Sequence, residues 1–315
     1  MRLAVLQAAG IRAAPFDAAH PARTSADTFV LANVYNYVEY EARGWLAVSN
    51  IGTAVYAPGN PAKSSLVWVD QEGTVESLGA DPGMYREVTL SPDGTKAAVR
   101  LATDLWIHDL QRGTRTRLTS ANTLNFLPLW SSDGARIVFA SNRGGDWDIY
   151  SRPADGSRPA EALLSRPYDQ FPSAVLADGT VLYNEVNPKT GFDIWTLSPG
   201  GQSQEEMSSP FRVTPFNERD AEVSPGPEGG PRWVAYSSDE SGRSEIYVQS
   251  YPSGANRIPV SSGGGNLPRW SRDGKELFYV TGDGVVAVAI RPDGSFRAPR
   301  RLFDRTNFLT RLFRA

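Results

Sequence analysis

The sequence has no cysteine and only two histidines, His20 and His108. The first absence excludes disulfides, thiolate metal sites and cysteine nucleophiles. The second leaves too few imidazoles for a zinc centre built on two or three of them, and little material for a Ser-His-Asp triad. No Gly-x-Ser-x-Gly elbow occurs either. Long apolar runs are also missing. The longest aliphatic stretch, Val285 to Ile290, is far too short to cross a bilayer. A basic excess is absent too: the formal charge is -3 and the pI about 5.6, which argues against a general nucleic-acid surface.

Turn formers are plentiful, with 29 glycines and 23 prolines, and helical periodicity is hard to find. This points to an all-β chain. The stretch from Trp130 to Tyr150 shows the unit. An apolar run enters a turn at Ser132-Asp133-Gly134, a second run follows as Ile137-Val138-Phe139-Ala140, and a polar loop leads to Asp148-Ile149-Tyr150. Asp-Gly between two β-rich runs signals a hairpin, because both residues tolerate the positive φ of tight turns.

The unit repeats. Turn glycines fall at Gly52, Gly94, Gly134, Gly179, Gly230 and Gly274, with spacings of 42, 40, 45, 51 and 44 residues. Each third strand carries an acidic, an aliphatic and an aromatic residue: Asp104-Leu105-Trp106, Asp148-Ile149-Tyr150, Asp193-Ile194-Trp195 and Glu245-Ile246-Tyr247. The first copy varies this as Leu66-Val67-Trp68, the last as Val286-Ala287-Val288. A fourth, polar strand ends most copies. Four antiparallel strands per repeat is the pattern of a β-propeller blade, whose two apolar faces are buried on its neighbours.

The expected organisation is one propeller domain over residues 1–315. Residues 1–40 supply a partial blade, 41–304 six repeats, and 305–315 a closing strand, giving seven blades with a composite last one. Six blades with extra strands is the alternative. On this reading Leu3-Ala4-Val5-Leu6 is a strand rather than the core of a weak secretory signal.

The segments Leu90-Ser91-Pro92-Asp93-Gly94, Ser141-Asn142-Arg143-Gly144-Gly145 and Pro268-Arg269-Trp270-Ser271-Arg272-Asp273-Gly274 resemble the WD-repeat-like propellers of the TolB type. The likeness is greatest to the propeller outside the membrane in bacterial serine/threonine protein kinases. Kinase motifs themselves are absent: there is no Gly-rich ATP loop, and His108-Asp109-Leu110 only echoes a catalytic loop. The resemblance implies an extracytoplasmic, periplasmic sensing or interaction domain, non-enzymatic, without cofactor or metal, that takes a protein or peptide partner as a monomer. A cytoplasmic location remains an alternative reading, as do a hydrolase or lyase acting on saccharide and a fragment of a larger membrane sensor kinase.

The other chemistry-bearing features have structural readings. One carboxylate per Asp-Gly turn makes a turn cap, not a calcium loop. The repeated third-strand acids bond to loop backbone or to a neighbouring Arg. The repeated aromatics Trp68, Trp106, Tyr150, Trp195 and Tyr247 pack between blades. Arginines clustered from Arg291 to Arg314 form a solvated outer strand and tail. The candidate binding surface is the ring of residues entering the first strands: Arg86, Asn125, Gln170, Arg219 and Asn266.

Overall fold

The structure, a computed structural model, describes side chains for residues 83–301 apart from 121–122, 202, 226–232, 272, 283–285 and 292–293; outside that range it describes the backbone of the named strands. The chain is all-β. Residues 1–119 and 120–304 are taken in turn.

In residues 1–119, Arg2–Gln7, Gly10–Pro15 and Thr28–Ala32 pair in chain order as a three-stranded antiparallel sheet. Leu3 lies opposite Ala14, and Ile11 opposite Leu31. Leu46–Val48, Ala54–Tyr56, Val67–Val69 and Val75–Ser77 then form a four-stranded sheet. Sheet I follows, from Tyr85–Leu90, Lys96–Leu101, Asp104–Asp109 and Thr114–Arg117. The tail expected to close a composite blade beside Leu3 lies outside the described residues.

Residues 120–304 hold four more four-stranded antiparallel sheets. Sheet II is Asn125–Trp130, Arg136–Ser141, Asp148–Pro153 and Glu161–Leu164. Sheet III is Asp169–Val175, Val181–Asn187, Gly191–Leu197 and Ser208–Arg212, the last preceded by a single helical turn, Gln204–Met207, capped by Ser203. Sheet IV is Glu218–Val223, Trp233–Ser238, Glu245–Ser250 and Ile258–Pro259. Sheet V is Asn266–Trp270, Glu276–Thr281, Gly284–Ala289 and Arg300–Asp304.

Apolar residues on both faces of a second strand mean both faces must be covered. Ile137, Val138, Phe139 and Ala140 are indeed all buried. The covering comes from neighbouring sheets. Val138, Ile149 and Leu164 of sheet II pack on Val181, Tyr183 and Leu197 of sheet III. Leu182 and Ile194 of sheet III meet Val234, Tyr236 and Tyr247 of sheet IV. Ala235, Ile246 and Val248 of sheet IV meet Leu277, Tyr279 and Val288 of sheet V. Each large side chain so buried contributes on the order of 2 kcal/mol. Of the third-strand aromatics, Tyr247 belongs to the seam between sheets III and IV and Trp195 packs against the one between sheets II and III, while the Trp68 side chain lies outside the described residues.

The Asp-Gly turns differ from the expected two-residue hairpin. Among Ser132, Asp133 and Gly134 only the glycine has positive φ, at 69°. Gly134 N–H donates to the Ser131 carbonyl at 2.9 Å, which closes the turn. Asp133 acts by its side chain instead. Its Oδ1 accepts from Ser131 Oγ at 2.5 Å and from Ala135 N–H at 2.9 Å. Ser131 Oγ accepts from Arg136 N–H at 2.9 Å. These bonds hold the Asp133 carboxyl below its usual range. Sheets I and V repeat them with Ser91 and Asp93, and with Ser271 and Asp273.

Candidate functional site

Opposite the turns, each sheet has a second end. Here a segment from the preceding fourth strand enters the first strand, and the loop between strands two and three emerges. In sheets I to V each first strand carries a register shift near this end: between Tyr85 and Val88, Phe126 and Leu129, Pro172 and Ala174, Arg219 and Glu222, and Asn266 and Arg269. Leu127, Asp220 and Leu267 sit in these bulges with φ of 56°, 57° and 53°. Such non-glycine residues are strained, and bulges near strand ends re-aim side chains.

The five candidate residues occupy two registers, not one. Arg86, Arg219 and Asn266 share the register of Phe126 and Phe171, and are half-buried or exposed. Asn125 and Gln170 stand one residue earlier, in the register of Tyr85, Glu218 and Gly265. A one-residue step in a strand turns a side chain to the other face. All five residues of that second register are buried.

The buried register anchors the loops. Gln170 Nε2 donates to the carbonyls of Arg166 at 3.0 Å and Pro167 at 3.2 Å, and also to that of Tyr168. Gln170 Oε1 accepts from Arg166 N–H at 3.3 Å. Tyr168, 43 % exposed, is thereby held at φ 78°. Asn125 Oδ1 accepts from Arg143 at 3.1 Å, and its Nδ2 donates to the Thr123 carbonyl. Glu218 is fully buried; Oε1 accepts from Thr214 Oγ1 at 2.6 Å and Ser238 Oγ at 3.2 Å. Burial pushes its carboxyl up to about 7, against the pull of Thr214 and Arg212.

The accessible register is aromatic and cationic. Phe126, Trp147 and Phe171 cluster, with Phe126 at 4.2 Å from Trp147 and 5.6 Å from Phe171. Arg219 lies over the Phe192 ring at 3.6 Å. Asn217 joins two loops: its Oδ1 accepts from Phe192 N–H at 3.2 Å, and its Nδ2 donates to Asp239 at 2.7 Å.

The repeated third-strand acids are buried and bonded at this same end. Asp104 takes Arg117 at 2.5 Å and Thr119 Oγ1 at 2.9 Å. Glu245 takes Ser261 Oγ, Arg243 Nε at 2.7 Å and Gly264 N–H at 2.9 Å. Asp148 bonds to Ser165, and burial raises its carboxyl. Asp193 bonds to Thr190 at 2.6 Å and to Thr214 N–H at 3.4 Å. The hydroxyl partners were not picked out from the sequence. In sheets I, II and IV a signal for them exists: an aliphatic residue followed by Ser or Thr ends the fourth strand, at Leu118-Thr119, Leu164-Ser165 and Val260-Ser261, whereas Thr214 after Val213 gives its hydroxyl to Glu218. Among the described residues no group of three or more His, Cys, Asp or Glu is placed to hold a metal ion.

No family model matches the chain. It is 21 % identical over 220 residues to the Tol-Pal system protein TolB of Wolinella succinogenes, covering 69 % of this chain and 41 % of that protein. The chain thus spans less than half the length of the curated relatives it matches. TolB of Acinetobacter baumannii superposes with a TM-score of 0.62 at 18 % identity, covering 98 % of this chain and 80 % of that one. An oligogalacturonate lyase solved with manganese gives 0.65 at 13 % identity, covering 82 % and 77 %. Likeness at these identities speaks to fold, and one fold hosts both kinds of protein. With the repeated sheets and their seams, these matches make the chain a TolB-like β-propeller.

Proposed function

We propose that this chain is a non-enzymatic scaffold that binds a protein or peptide through the segments entering its first strands. One observation carries the reading. Among the described residues the exposed large hydrophobics are Met84, Leu124, Tyr168, Val213 and Phe216, and every one of them lies in such a segment. Elsewhere the described surface lacks them. Apolar side chains grouped at one end of each sheet, and held there by buried polar anchors, favour a partner with apolar surface of its own. Arg219, exposed on Phe192, belongs to this surface, and Arg86, half-buried, stands in the same register of sheet I. Asn125 and Gln170 support it from inside.

The name of the Wolinella relative places that protein in a Tol-Pal system. By that likeness we place this chain in the bacterial cell envelope, on the periplasmic side, as a monomeric propeller closed by its two chain ends. Among the described residues no helix is long and apolar enough to cross a membrane.

A saccharide lyase or hydrolase is the second reading, favoured by the lyase neighbour and by Glu218, a carboxyl near 7 of the kind acid–base chemistry uses. Its burial at 0 % exposure, with Oε1 bound by Thr214 and Ser238, counts against contact with substrate. The test is affinity capture from envelope and cytosolic extracts, comparing the native protein with a Leu124→Ser/Phe216→Ser variant. A partner captured by the first and lost by the second is the expected result. Cleavage of an acidic oligosaccharide abolished by Glu218→Gln would replace the scaffold reading.

A further inference from the structure

Four third-strand aromatics carry an arginine over the ring: Arg115 on Trp106 at 5.4 Å, Arg143 on Tyr150 at 4.4 Å, Arg166 on Trp195 at 4.6 Å and Arg257 on Tyr247 at 3.8 Å. Sheets II and III allow a direct comparison. The first-strand pair whose second member faces the third-strand acid is Asn125 with Ser141 in sheet II, and Gln170 with Glu185 in sheet III. In sheet III the buried Glu185 lies 3.5 Å from Arg166 and balances its charge. In sheet II a serine stands where that glutamate would be.

Arg143 consequently has neutral partners. Its Nε donates to Ser141 Oγ at 3.0 Å and Nη2 to Asn125 Oδ1 at 3.1 Å. Among the described residues no carboxylate comes within ion-pair distance of it. Burial, the leading influence on this group, disfavours its charged form. A half-buried guanidinium oriented by two hydrogen bonds, over an aromatic ring, is prepared for a planar anion. Leu124 stands beside it. Its N–H donates to Asn142 Oδ1 at 2.9 Å, and the Asn142 N–H returns a bond to the Leu124 carbonyl at 3.4 Å. The cation thus adjoins a fixed, exposed apolar side chain.

We infer that Arg143, oriented by Asn125 and Ser141, forms a carboxylate-binding site whose occupant is an acidic side chain, flanked by apolar residues, of a partner's extended peptide. The ligand supplies in sheet II the charge that Glu185 supplies in sheet III. This rests on the scaffold reading and narrows it to one kind of sequence.

The test uses the full chain and three blocked or free tripeptides in calorimetric titrations. Acetyl-Leu-Asp-Leu-amide is expected to bind about tenfold tighter than acetyl-Leu-Asn-Leu-amide. Arg143→Gln should erase that difference. Ser141→Glu should erase it too, by placing a resident carboxylate next to an intact arginine, with the melting temperature held or raised. Equal binding of the two peptides to the native protein overturns the carboxylate site and leaves the scaffold reading standing. An Asp preference that survives Arg143→Gln overturns it as well. Tight binding of acetyl-Leu-Asn-Leu with a free terminal carboxylate, without an Asp preference, would move the ligand to a chain terminus and so overturn the acidic side chain. Binding of none of the peptides overturns the site; only unchanged capture by the Leu124→Ser/Phe216→Ser variant removes the scaffold reading.

Discussion

The two ends of each sheet follow different rules. At the turn end, sheets I, II and V use the same three residues in the same bonds, Ser and Asp closing on the N–H groups that follow. The bonds there close within a few residues, and the aspartates Asp93, Asp133 and Asp273 are exposed. At the other end the sheets have diverged. The same register holds Tyr85, Asn125, Gln170, Glu218 or Gly265, and the same loop carries Leu124, Tyr168 or Phe216. The uniform end is what a repeat needs in order to fold. The varied end keeps strained bulges, a buried carboxyl near 7 and exposed rings, which a purely structural end would shed. Breaking one end should cost stability; altering the surface of the other should cost binding.

The largest loss is expected where, at the varied end, the fourth strand is tied to the third. Ser261 Oγ accepts from Ile246 N–H at 2.7 Å and donates to the buried Glu245. Ser261→Ala leaves both groups short of a partner inside the protein. A loss of about 2–4 kcal/mol in urea unfolding is expected, since buried charges stripped of a hydrogen bond are costly. A loss below about 0.5 kcal/mol, the level of an ordinary surface change, would mean that the acid–hydroxyl pair is incidental.

A second test uses Glu218. Its folded value of about 7 lies above the ordinary 4.5, so the folded state holds a proton that the unfolded chain has released. Stability from this group is therefore present below about pH 4.5 and lost as the pH rises to about 7, by at most about 3 kcal/mol. His108 works the other way. Burial, helped by Arg115, lowers its value to about 4, so its contribution grows as pH rises from 4 to 6.5. The two windows overlap, so the wild-type profile alone is ambiguous. The difference between Glu218→Gln and wild type isolates the carboxyl: near zero at pH 5, and a gain of about 1–3 kcal/mol at pH 8. A flat difference would place Glu218 in contact with water.

Gly134→Ala comes next. Its φ of 69° admits a Cβ only with strain, so a loss of about 1 kcal/mol is expected at the turn end, with peptide binding untouched. An effect near zero would mean that the turn relaxes into another conformation.

What could be read from the sequence follows the same division. The turns, the strand order and the buried third-strand acids were legible because each depends on neighbours a few positions away. The hydroxyl partners were harder: Thr119 lies 15 residues from Asp104, and Ser261 16 from Glu245, so the pairs meet only once the fourth strand is laid down. The candidate ring was half legible. Polar residues do enter the first strands, but a bulge in each strand decides which residue of a pair turns inward, and bulges leave little mark in one sequence. Hence Asn125 and Gln170 were grouped with Arg219 although they face the interior. The exposed apolar side chains were hidden for the opposite reason, since Leu124 or Phe216 in sequence looks like any core residue.

The smallest effect on stability should accompany the clearest effect on binding. Leu124, Tyr168 and Phe216 are 43 %, 43 % and 40 % exposed, so a large part of each already meets water in the free protein. Changing any one to Ser gives up only part of the burial of a core side chain, and unfolding free energies should fall by no more than about 1 kcal/mol. Tyr168→Gly deserves separate treatment. The backbone there has φ 78°, which glycine adopts without strain, so the loop should tighten its own conformation at the cost of the ring. Stability should hold or rise slightly, by up to about 1 kcal/mol, while partner capture falls. A strained tyrosine kept on the surface against this gradient makes sense only if the ring is used. Should Tyr168→Gly bind partner as well as the native protein does, the apolar loop end near sheet III is not the contact surface, and the contrast between the two ends reduces to drift between repeats.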